Sequence, residues 1–246
     1  QFVAPCLLMA VLLGVGIGQL VRPGAQGFDY IKRLSYPAVV TIETKEGLGS
    51  GFFISSEGHL LTCYHLLADG HEVTVVTGNG KRFSAEVVGT DRQRDLAVIK
   101  VEAVHTPLLR LGEVNTARRG RIYLFGHQAG KPEWTAGSLI TVELLVDEQR
   151  FIQVQGQAVP GYSGGPLIDQ NGNVLGLITQ LIGETDLALA IPASVLSGFL
   201  TKNRIVHSFV KNEHLPKADA GGWWSPQTGG WADLPLTGKG LIFLLP

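Results

Sequence analysis

The sequence predicts an all-β fold, an antiparallel sandwich or barrel, on three observations. Short β-rich runs follow one another at close intervals from about residue 38. Turn signals such as SEG, GNG and QNGN separate many of them. No long helical pattern alternates with the runs, which disfavours a parallel α/β sheet. A chain of 246 residues suffices for one large β domain.

Taken from the start, Phe2 to Val21 reads FVAPCLLMAVLLGVGIGQLV, in which only Gln19 is strongly polar. That length crosses a bilayer as a helix, so residues 1–27 are read as an export signal or membrane anchor. The GVGIG inside it lacks the GxGxxG spacing of a dinucleotide loop, and small residues in an apolar helix explain it better. Cys6 precedes the apolar core, which argues against a lipid-anchor cysteine. FDYIKRL, from Phe28, predicts one or two helical turns ended by Pro37.

The strand candidates then follow: AVVTIE, GFFIS, HLLTC, EVTVVT, SAEVVGT, LAVIKV, RIYLFG, SLITVEL, FIQVQ, PLID, VLGLIT and LALAI. One helix is expected over Pro192–Asn203, PASVLSGFLTKN, with proline at its start. After about Arg204 the signal decays. Residues 206–246, rich in Gly, Pro and Trp, are read as an irregular, poorly ordered tail after a domain spanning 28–205.

Composition narrows the function. Hydrophobic residues make up 45% and charged residues 17%, as in a globular chain. The net charge of −1 supplies no basic footprint for nucleic acid. Cys6 and Cys63 are too few for a disulfide framework, and no CxxC or Cys/His cluster suggests a metal site.

Three residues stand in settings suited to chemistry. Ser163 lies in GYSGGPLID, crowded by glycines that permit unusual backbone angles. His65 follows an apolar strand in LLTCYHLLADG, and Asp95 immediately precedes one in DRQRDLAVIKV. Singly, each has a plain alternative: a hairpin serine, a polar strand end, a solvated turn. Jointly they supply a nucleophile, a base and an orienting carboxylate in the order His, Asp, Ser, one of the known chain orders for that triad.

The blocks GSGFFISSEGHLLTCYHLL, DLAVIKV and GYSGGPLIDQNGNVLGLIT resemble those around the triad of chymotrypsin-like serine proteases, most of all the HtrA/Deg-type branch. LALAIP resembles the strand after that branch's specificity loop, and the likeness runs from about Tyr36 to Leu200. It implies two six-stranded antiparallel β-barrels of the chymotrypsin-like type, a short C-terminal helix, and a site in the cleft between the barrels. By position, His65 would be the general base, Asp95 its orienting carboxylate and Ser163 the nucleophile. The backbone N–H groups of Gly161 and Ser163 would form the oxyanion hole. Ala158, Leu181 and Ile182 would wall an apolar specificity pocket. No metal or organic cofactor is needed for this chemistry.

Departures from the pattern carry expectations too. Tyr162 stands where that branch has a small polar residue, and its ring is expected over the cleft, among the substrate-binding groups. It cannot bind a freed N-terminus as a zymogen aspartate does. Cys63 stands where Asn is frequent and is read as a buried thiol. Many relatives carry PDZ domains, but the roughly forty residues after the expected helix lack strand alternation. The reading is therefore a protease domain that is truncated or has no such partner. The resemblance further implies unfolded or extended polypeptide substrates bound as an added strand, protein quality control, an exported or periplasmic location with a tether through residues 2–21, and a homotrimer. The rival reading is a non-catalytic or latent peptide-binding, chaperone-like module on the same fold. A glutamyl endopeptidase is weighed against by SGGP in place of SGSP.

Overall fold

The computed structural model describes residues 23–45, 47–70, 72–103, 105–114, 121–183 and 185–211. The apolar run Phe2–Val21, Cys6 and the tail from residue 212 onward lie outside the described residues. No helix among the described residues is long and apolar enough to cross a membrane.

The first barrel has strands β1 (Val39–Thr44), β2 (Gly47–Phe53), β3 (His59–Cys63), β4 (Val73–Val76), β5 (Arg82–Asp91) and β6 (Leu96–Val101). They close in the order β1-β2-β3-β6-β5-β4. The second half holds β7 (Arg110–Gly112), β8 (Ile122–Gln128), β9 (Lys131–Val146), β10 (Gln149–Gln155), β11 (Pro166–Asp169), β12 (Asn173–Leu181) and β13 (Leu187–Pro192). Six of these run β11-β8-β9-β10-β13-β12, and pairing of β11 with β12 closes the ring. Two six-stranded antiparallel barrels are present, as expected. On the outside of β12, β7 and the short β14 (Phe209–Val210) run parallel.

Why the strands read as unbroken apolar runs is now visible. Successive side chains of a strand point to opposite faces, and in strands at the seam such as β3, β6 and β8 both faces are buried. In β6, Ala97, Ile99 and Val101 fill the first barrel, while Leu96 and Val98 pack into the layer between the barrels. The pairs Phe53 and Phe52 on β2, and Leu60 and Leu61 on β3, divide the same way. In the second barrel, Ile122 and Leu124 point inward and Tyr123 and Phe125 point to the seam.

Two helices cap this seam. Helix α1 (Pro23–Ser35) is longer than FDYIKRL alone suggested. PGAQG is a poor helix sequence, but the following residues anchor it, and packing decides most helices in proteins. Ile31 is fully buried, and the Phe28 ring lies 3.8 Å from that of Trp134 and 4.9 Å from that of Tyr123. Helix α2 (Ala193–Lys202) starts directly after Pro192, close to the expected bounds, and buries Leu196 and Leu200.

Three pieces of sheet escaped the sequence reading. Strands β7 and β14 have three and two residues, too few to show a period. β14 falls inside the stretch read as irregular tail. The first half of β9, KPEWTAG, contains Pro132 and Gly137, yet it pairs along its length with β8, from Gly137 opposite Ile122 to Lys131 opposite Gln128.

Candidate active site

The loop between β10 and β11 carries Ser163. Gly161 has φ +103° and Gly164 φ +85°, a region that side chains rarely adopt. A Cβ on Gly161 would sit 2.0 Å from the His127 carbonyl oxygen, and one on Gly164 2.1 Å from that of Ser50. Only glycine fits at either place. In the turn Gly161–Gly165, three N–H groups donate into the protein: Tyr162 to Val159 O (3.1 Å), Gly164 to Ile178 O (2.7 Å) and Gly165 to Tyr162 O (2.9 Å). Among the described residues, the N–H groups of Gly161 and Ser163 meet no protein acceptor. They are the two the resemblance assigns to an oxyanion.

His65 comes from the first barrel, on the 3-10 turn Tyr64–Gly70 that follows β3. Asp95 stands just before β6, with φ +56°, a left-handed conformation that Asp tolerates better than most residues. Pairing of Cys63 with Leu96 brings these two strand ends side by side. The Asp95 carboxylate accepts the His65 backbone N–H at 2.9 Å through Oδ1, and its Oδ2 lies 2.8 Å from His65 Nδ1. It also accepts the Thr179 hydroxyl.

Burial by itself would raise the Asp95 carboxyl. The hydrogen bonds from the His65 ring, the Thr179 hydroxyl and the His65 N–H outweigh it and hold the group below its ordinary value of 3.8. An ionised carboxylate only accepts, so Nδ1 carries a proton, and in the neutral imidazole this leaves the lone pair on Nε2. Thr179 closes the chain of contacts: its carbonyl accepts the Ser163 hydroxyl at 3.5 Å. His65, Asp95 and Ser163 are thus linked through one residue of β12. A hydroxyl, an imidazole with a free lone pair and a carboxylate in such a cluster can carry out acyl transfer.

Residues 49–177, slightly more than half of the chain, match the model of the trypsin-like peptidase domain. The chain belongs to the trypsin-like peptidase family. This trypsin-like peptidase is 32% identical over 182 residues to a protein of Halomonas elongata named probable periplasmic serine endoprotease DegP-like. It is 35% identical over 162 residues to a Pseudomonas putida protein of the same name. It is also 31% identical over 180 residues to the putative serine protease HhoB of Synechocystis. These alignments cover 70%, 61% and 68% of this chain, but only 36%, 33% and 43% of the three relatives.

Around the three central residues, one side chain lies elsewhere than expected. Ala158 and Leu181 are half-buried and pack on the same apolar cluster inside the second barrel. Ile182 is half-buried, and its N–H donates to Leu187 O at 2.9 Å. Tyr162 is only 3% exposed and belongs to that interior cluster instead of covering the cleft. Gly126 makes room for it, since a Cβ there would lie 2.9 Å from the ring. Burial, helped by Glu133, pushes the Tyr162 phenol up to about 12.

Cys63 is a buried free thiol that donates to Ile178 O at 3.5 Å. Its sulfur, His65 and Asp95 offer ligand atoms within 4.8 Å of one another. Burial, and next the Asp95 charge, drive the thiol far above its usual range. It therefore stays protonated and makes a poor metal ligand. Two residues that hydrogen-bond to the candidate site were not singled out from the sequence, Thr179 and Ser50. Thr179 is the polar end of VLGLIT, and Ser50 sits in GLGSG. Neither motif marks its serine or threonine for a role.

Proposed function

We propose that this trypsin-like peptidase is a serine endopeptidase that cleaves peptide bonds through an acyl-enzyme. The reading is carried by the chain of contacts from His65 through Asp95 and Thr179 to Ser163. The Ser163 hydroxyl leaves the Thr179 carbonyl and attacks the scissile carbonyl carbon as His65 Nε2 takes its proton. Asp95 keeps the imidazole in its tautomer and stabilises the imidazolium. The N–H groups of Gly161 and Ser163 receive the oxyanion, an interaction that in such sites contributes about 3–4 kcal/mol per donor to the transition state. His65 then gives the proton to the departing amine. A water molecule, deprotonated by the same nitrogen, frees Ser163.

The half-buried Ala158, Leu181 and Ile182 favour a small to medium apolar side chain before the cut bond. Extended, unfolded polypeptides are the proposed substrates, bound as an added strand. The names of the relatives support an extracytoplasmic setting, and a place in protein quality control is proposed with it. A tether through residues 2–21 and a homotrimer belong to the same proposal. Mass determination of the mature chain and sedimentation of the purified protein test those two parts.

The enzyme reading is tested with a fluorophosphonate probe. Wild type is expected to be labelled and to degrade casein, and Ser163→Ala to do neither. Absence of labelling in a folded wild-type protein would overturn it. The second reading, a latent or non-catalytic peptide-binding module, is favoured by one observation: the Ser163 hydroxyl is turned to the Thr179 carbonyl. It predicts peptide binding without labelling.

A further inference from the structure

Ser50 lies on β2 of the first barrel, with no exposure to solvent. Its polar atoms are all used, and most of its partners are in the second barrel. The backbone N–H donates to the Ser163 carbonyl at 2.8 Å. The hydroxyl donates to the Gly161 carbonyl at 2.6 Å and accepts the N–H of His127 at 2.9 Å. The Ser50 carbonyl accepts the Thr62 hydroxyl at 2.7 Å, which fixes Ser50 within its own barrel.

Gly161 and Ser163 are the two residues flanking Tyr162, and their N–H groups meet no acceptor among the described residues. Their carbonyls are the two that Ser50 grips. The Gly161 N–H lies in the peptide before the glycine and the gripped carbonyl in the peptide after it, so the two are related through the φ and ψ of Gly161, and glycine has little conformational preference of its own. Gly161 is therefore held from outside. On one side the His127 carbonyl leaves no room for a side chain. On the other, the Ser50 hydroxyl is the donor to its carbonyl among the described residues. Only a group that both donates and accepts can join Gly161 O to His127 N–H, and a hydroxyl does so.

We propose that Ser50 is the positioning residue of the oxyanion hole: its hydroxyl holds the carbonyl that follows Gly161 and so limits the backbone angles of the glycine to those in which its own N–H, in the preceding peptide, faces the cleft. This rests on the endopeptidase reading. An oxyanion exists only in the transition state, so loss of aim lowers kcat and leaves KM in place. Outright loss of one oxyanion donor costs about 10²–10³-fold in kcat. Misalignment of a donor that is still present should cost about ten- to a hundredfold.

The test compares wild type with Ser50→Ala by active-site-titrated kinetics and by the ¹⁵N NMR signal of the Gly161 amide. Expected for Ser50→Ala are a ten- to hundredfold lower kcat, a KM within about twofold, and a shifted, broadened Gly161 signal. If Ser50→Ala does not fold, Ser50→Cys, which keeps the shape and a weak donor, should show the same changes in smaller measure. A folded variant with kcat near wild type and an unmoved Gly161 signal would overturn the proposal and leave Ser50 as a staple between barrels. If wild type itself resists the fluorophosphonate probe, the endopeptidase reading fails. The Gly161 signal then decides alone: moved in the variant it upholds the positioning role, unmoved it overturns it.

Discussion

Thr179 of the second barrel donates its hydroxyl to Asp95 of the first, and its carbonyl accepts the hydroxyl of Ser163. One side chain thereby fixes the carboxylate from across the seam. Thr179→Val keeps the shape and removes the donor. A hydrogen bond to a charged group contributes about 1.5–3 kcal/mol. With Asp95 partly open to solvent, a stability loss of about 1–2 kcal/mol is expected, with kcat/KM about tenfold lower. Thr179→Ser should restore both. Urea unfolding and peptide kinetics on the three proteins check this.

Asp95→Asn should lower turnover by about four orders of magnitude near neutral pH, because an amide favours the wrong imidazole tautomer. Stability should respond as well. The Asp95 carboxyl sits below 3.8 in the folded chain, so the folded state prefers it ionised. Its contribution is present above about pH 4 and is lost as pH falls through the lowered value. The melting-temperature gap between wild type and Asp95→Asn should shrink below about pH 4.

His127 gives an acid dependence at higher pH. Burial lowers its imidazole from 6.5 to about 4, and its Nδ1 has no partner among the described residues. The unfolded chain binds this proton first as pH falls. Stability is therefore full above about 6.5 and declines toward pH 4, by at most about 3 kcal/mol. His127→Leu removes the titrating group and should flatten that slope. Denaturant midpoints measured from pH 7 to pH 4 would show it.

Tyr162 should act through stability instead of substrate choice. Its ring is in the second barrel, against Gly126, so Tyr162→Ala leaves a void and should cost about 3–5 kcal/mol. Cleavage preference at the residue before the cut should stay as in wild type. A peptide-library profile of this variant, taken well below its melting temperature, distinguishes the two effects.

The barrels were legible because they bury both faces of their strands at the seam. LAVIKV and HLLTC have apolar residues at every needed position, and few other structures call for such runs. Ser163 was legible through the glycines that its backbone angles require. Ser50 and Thr179 were not. Each is one small polar residue in an apolar strand; Ser50 meets Gly161 111 residues away, and Thr179 meets Asp95 84 residues away. The Tyr162 ring was misplaced for a related reason: the space that receives it is made by Gly126, and nothing near GYSGG reveals that vacancy.

The apolar layer between the barrels has a consequence for biosynthesis. His65 and Asp95 are synthesised with the first barrel, Thr179 and Ser163 with the second. On the ribosome, a half-finished chain holds a base without its nucleophile. Under the proposed chemistry, the newborn molecule stays inert toward other growing chains until the second barrel has closed and docked.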